Sequence, residues 1–137
     1  MSWMRFARAA GSALVIQMAA GWLWHLVLFK DLYADAMTKV ARPVPDMGAI
    51  VPGVAVRALL LAWIYPLGYK GGAPWREGAR FGVVMGLLSA VVIAIIYGNA
   101  NFGAGWLWGD LAYFLIEGVL AGIAIAYCYG NRPAAKE

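Results

Sequence analysis

The chain has 137 residues, 64% of them hydrophobic and only 13% charged, with a formal net charge of +4. A soluble domain carries roughly a quarter charged residues, so a water-covered globular fold is excluded, and no nucleic acid is needed to explain the positive charge. A single cysteine, Cys128, and a single histidine, His25, exclude an intrachain disulfide, a thiol redox pair and most metal or haem sites that one chain can build.

Four predominantly apolar runs are each long enough to cross a hydrocarbon core of about 30 Å. Each must be helical, because lipid offers no partner to a bare peptide group. The first runs from about Ala9 to Phe29. Arg5 and Arg8 before it, with Ala19-Ala20-Gly21 inside it, would suit a secretory signal, but the apolar run continues too far for one. Gln17, near its middle, is expected to bond a neighbouring helix. Residues 30–47 form the longest connection. There Tyr33, Met37 and Val40 share a helical face and Asp35 stands four residues before Lys39, which predicts a short interfacial helix ended by Pro43 and Pro45.

The second span covers about Gly48 to Gly68, with Pro52 in its first turn and Pro66 set to kink its end. The connection from Tyr69 to Trp75 is turn chemistry. The third span, about Phe81 to Gly98, opens on a GxxxG pair, Gly82 and Gly86. The fourth, about Leu111 to Tyr129, carries a second pair, Gly118 and Gly122. Small residues at this spacing let two helix backbones approach closely, within one chain or between two.

Charge sets the orientation. Arg5 and Arg8, then Lys70, Arg76 and Arg80, then Arg132 and Lys136 fall on one side. Residues 99–109 have no lysine or arginine, and in 30–47 Lys30, Lys39 and Arg42 are balanced by Asp31, Asp35 and Asp46. The positive-inside rule then makes both termini cytoplasmic. The expected fold is all-α: one four-helix transmembrane bundle over residues 1–137, up-down-up-down.

The tetrapeptide GWLW occurs twice, at Gly21–Trp24 and Gly105–Trp108. With this topology Trp22, Trp24, Trp106 and Trp108 all mark the outer leaflet, so the expected role is an aromatic belt with rings in the apolar zone and indole N–H groups near water. An internal duplication fits poorly, since a repeat of two spans would put the second copy on the third span. A platform for a pigment or quinone is the competing reading.

Ionisable residues inside the spans are expensive and usually functional or paired. Arg57 lies about seven residues beyond Ile50, and Glu117 about seven beyond Asp110, so both are expected about 10 Å below the outer surface. Opposite charges at equal depth predict a pair, with His25 nearby. Arg57, Glu117, His25, Gln17 and Asp110 are therefore the candidate intramembrane polar site. It reads either as a clamp fixing helix register or as a proton- or substrate-handling site. His25, Glu117 and Asp110 are too few ligands for a metal.

The pattern Trp-x-x-x-Leu-Phe-Lys-x-Leu-Tyr at 24–33, Tyr-Pro-Leu-Gly-Tyr-Lys-Gly-Gly at 65–72 and Arg80-Phe81-Gly82 resembles a group of small bacterial four-span membrane proteins of unknown function. The resemblance covers most of the chain and implies a four-helix bundle. It brings no catalytic residue.

No phosphate-binding loop, nucleophile elbow or zinc motif is present, so neither an enzyme nor a bound cofactor is expected. Three roles stay open. The first is an accessory or scaffold subunit of a membrane assembly, with a membrane protein as partner. The second is a minimal transporter or channel, as a homodimer, using Arg57 and Glu117. The third is a lipid- or quinone-binding membrane protein using the outer-leaflet tryptophans.

Overall fold

A computed structural model describes residues 2–37, 42 and 44–130. These residues are helical with short connections and contain no strand. Helix α1 (Trp3–Trp22) continues into a π-helical segment (Leu23–Leu28); α2 (Lys30–Ala36) is short; α3 (Met47–Ile64) ends in a 3₁₀ turn (Tyr65–Leu67); α4 spans Pro74–Asn99 and α5 Ala104–Tyr129. Four segments, Trp3–Leu28, Met47–Leu67, Pro74–Asn99 and Ala104–Tyr129, are long and apolar enough to cross a membrane. They leave Val15, Leu60, Leu88 and Ile95 exposed on their outer faces, as a multi-pass membrane protein does toward lipid.

The helices reach beyond the apolar runs. Helix α4 starts at Pro74, a residue preorganised for a first helical position, so Arg76 and Arg80 belong to its first two turns and not to a loop. Helix α5 starts at Ala104, which puts Trp106, Trp108 and Asp110 on the helix. Hydropathy marks the lipid-soluble part of a helix; its charged ends stay helical in the headgroup zone. Asp46 caps α3, its side chain accepting from the Ala49 N–H at 3.3 Å. Pro52 stands in the second turn of α3, not the first, and the helix runs on through it. Pro66 sits in the 3₁₀ turn that ends α3. A short helix is present in this connection, as Lys30–Ala36; Lys39, Val40 and Pro43, used to predict it, lie outside the described residues, as do Arg132 and Lys136.

Helix α5 runs antiparallel to α1 and to α4. Along α1 and α5, Arg5 bonds the Tyr129 carbonyl, Ser12 meets Cys128 and His25 meets Asp110. Along α4 and α5, Gly78, Gly82 and Gly86 face Gly122, Gly118 and Phe114 in turn. A Cβ added at Gly82 would collide with the Gly118 carbonyl oxygen and stand 2.6 Å from Val119 Cα, so only hydrogen permits this approach. The sequence pattern extends one turn further than the two GxxxG pairs, because Gly78 is also helical and also in the contact. Helix α5 packs between α4 and α1, and α1 between α5 and α3, whereas α3 and α4 hardly touch. The row is closed by side chains: Tyr65 sets its ring edge-on to Phe81 at 5.3 Å, and Arg57 reaches Ser89. One half of the interior is an apolar layer of Ala9, Ala13, Ala58, Ala62, Ile125 and Ala126, all essentially without exposure.

Candidate functional site

The five polar residues expected to form one site form two clusters. The first lies midway along the spans. Arg57 is ten residues from either end of its span, about 15 Å in from both. Glu117 falls at the centre of α5, about 20 Å from Ala104. Both are deeper than the sequence suggested, because the helices begin earlier than the apolar runs. Arg57 Nη1 stands 2.8 Å from Glu117 Oε2 and donates to Gln17 Oε1 at 2.7 Å. Its Nη2 donates to Ser89 Oγ at 3.4 Å, and the guanidinium lies over the Phe114 ring at 5.5 Å. One side chain from α3 therefore touches α1, α4 and α5.

The glutamate is fully buried. Its Oε2 is held in ion-pair contact without an aligned hydrogen bond, and its Oε1 and Gln17 Nε2 have no partner among the described residues. A buried ion pair whose lone pairs are not all satisfied repays little of its desolvation cost. The arrangement therefore specifies which faces meet more than it adds stability.

The second cluster sits two turns away, toward the start of α5. His25 does not face Glu117. Its Nε2 lies 3.1 Å from Asp110 Oδ1 and its Nδ1 lies 3.0 Å from the Gly21 carbonyl. Tyr33, from α2, donates to the same Asp110 oxygen at 2.6 Å and accepts from Trp24 Nε1 at 3.1 Å. Burial, and then the bond to Asp110, push the Tyr33 phenol well above its ordinary range, so it remains a donor. The π-helical segment makes this possible. Phe29 N–H closes onto the Trp24 carbonyl, and the widened turn brings both Trp24 and His25 against Tyr113, at 6.0 and 4.7 Å between ring centroids. Gly109 leaves room for the Tyr33 hydroxyl. The role of Tyr33 had no sequence signal, because it depends on α2 folding back over α5.

The two GWLW copies do not form one belt. Residues two apart on a helix point about 200° apart, and in each copy one ring faces out and one in. Trp22 and Trp108 are 60% and 69% exposed. Trp24 turns to Tyr33 and packs at a tilt against Phe29, while Trp106 is 6% exposed and stacks on Phe102 at 4.1 Å. A belt or a ligand platform of all four rings is thus corrected to two outward rings, with Trp106 part of the interior. Among the described residues no group of three His, Cys, Asp or Glu is placed to hold a metal. Comparison of the chain with protein-family models, with curated proteins and with solved structures finds no match in any of the three.

Proposed function

We propose that the chain is an accessory or scaffold subunit of a membrane assembly, in which the Arg57–Glu117 pair is a clamp. The observation that carries this reading is the reach of one guanidinium: from α3 it touches Gln17 on α1, Ser89 on α4 and Glu117 on α5. A group engaged with every long helix is suited to fixing their register and poorly suited to moving between states. A subunit of this kind offers partners the apolar faces of α3 and α4, which hardly pack on each other. Purification in mild detergent, with mass analysis of bound proteins and small molecules, is expected to recover a stoichiometric membrane-protein partner. Recovery of the chain alone, or with one small molecule only, would contradict the reading.

A second reading has its own observation. Among the described residues Glu117 Oε1 and Gln17 Nε2 lack partners although both residues are buried, and an unsatisfied membrane carboxylate is what a minimal dimeric transporter would use.

Either role is read in an up-down-up-down topology with both termini cytoplasmic in a bacterial inner membrane. Charge supports it: Arg5, Arg8, Lys70, Arg76 and Arg80 share one end, while within residues 30–47 Asp31, Asp35 and Asp46 balance Lys30, Lys39 and Arg42. Reporter fusions after residue 137 and within 99–105 are expected to report cytoplasm and periplasm respectively. The reverse pattern would overturn the orientation.

A further inference from the structure

We infer that a water molecule is bound between Gln17 and Glu117 at mid-membrane, and that it exchanges with the aqueous phase only through the His25 end of the bundle. The two orphaned atoms are complementary. Gln17 Nε2 is a donor and Glu117 Oε1 an acceptor, on residues 3% and 0% exposed. The amide cannot gain by turning over, since its Oε1 already accepts from Arg57 at 2.7 Å. A ligand between the two must accept from one and donate to the other. Water does both, whereas a bare cation would face the amide hydrogens. Buried waters typically bridge such groups.

The two directions out of this position differ in chemistry. Toward the start of α5 the lining is polar. The Tyr113 hydroxyl donates to the Gln17 carbonyl at 3.4 Å and lies over Gly21, whose missing Cβ leaves it space. Beyond Tyr113 come His25, its side chain 31% exposed, and Asp110. In the other direction stand Ala13, Ala58, Ala62, Ala121 and Ala126, at most 1% exposed. Ser12 is turned back onto the Ala9 carbonyl and Cys128. Water leaving that way would cross about 10 Å of largely hydrocarbon-like packing, in which the Ser12 and Tyr129 hydroxyls are already bonded to the Ala9 and Ala62 carbonyls.

Gln17 is the only glutamine in the chain, so its side-chain amide gives one resonance in protein labelled at glutamine. The test is water-edited solid-state NMR on the full chain in lipid bilayers. Magnetisation from water is expected to build up on the Gln17 amide and the Tyr113 ring severalfold faster than on the methyl groups of Ala58, Ala62, Ala121 and Ala126. A Gln17 amide no faster than those methyls would show a dry site and overturn the binding. Alanine methyls as fast as Gln17 would show water passing through and overturn the one-sided access. Water here is compatible with any role of the chain in an assembly, and neither this measurement nor the recovery of a partner decides the other.

Discussion

Replacing Glu117 with leucine is expected to cost about 3–5 kcal/mol of stability, because it leaves the Arg57 charge without its counterion at the centre of the bundle. Arg57→Met strands the buried Glu117 carboxylate and is expected to cost a similar amount. Combining Arg57→Met with Glu117→Leu should recover most of either loss, since a buried pair replaced by apolar groups of similar volume is often neutral or stabilising. The exchange Arg57→Glu with Glu117→Arg should recover part, because pairing returns although Gln17 and Ser89 are left to new partners. Equilibrium unfolding in mixed micelles measures all four. Additive losses in the double apolar variant would show that the two charges do not act on each other.

The second large effect is expected at the α4–α5 contact. Gly82→Val and Gly122→Val each push a branched side chain into backbone: at Gly82 against the Gly118 carbonyl, at Gly122 to within 2.9 Å of Gly82 Cα. Nothing there is flexible enough to yield. Each substitution is expected to cost about 3 kcal/mol or more, the upper range of overpacking. Gly11→Ala and Gly53→Ala make the opposite control, since nothing lies within 4 Å of either Cβ. In a helix interior they are expected to gain about 0.5–1 kcal/mol. If valine at Gly82 and alanine at Gly11 had equal effects, close backbone approach would not be what holds α4 to α5.

Hydropathy made the four spans legible, and it misjudged their ends for a physical reason. Glu77 and Arg80 form an ion pair three residues apart on the first turns of α4, at 2.8 Å, and need no lipid to be helical. The same misjudgement hid Gly78 from the packing motif and made Arg57 and Glu117 look shallow. Their contact was nonetheless readable, because sign and matched depth survive an error that shifts both the same way. The second cluster was not readable. It needs a π-helical turn, which no periodicity in Leu23–Leu28 announces, and it needs Tyr33 to arrive from a separate short helix. A local pattern can show that His25 is polar in an apolar run. It cannot show that Asp110, eighty-five residues on, is its partner instead of Glu117. The paired tryptophans mislead similarly: GWLW suggests one function per motif, whereas helical geometry divides each copy between two faces.

Arg57 and Glu117 fix the register of the helices and do not form part of a path across the bundle. Below Glu117 the interior is alanine, Leu61 and Ile125 as far as Tyr65 and Tyr129, with Ser12 turned onto the Ala9 carbonyl, so among the described residues a proton arriving from the His25 end meets no carboxylate or imidazole in that layer to carry it onward. The most direct test is proton flux into liposomes containing the purified chain under an imposed potential, with Glu117→Gln alongside and its fold checked by circular dichroism. The clamp account expects flux at the level of protein-free liposomes for both. Flux above that level, lost in a folded Glu117→Gln variant, would contradict it.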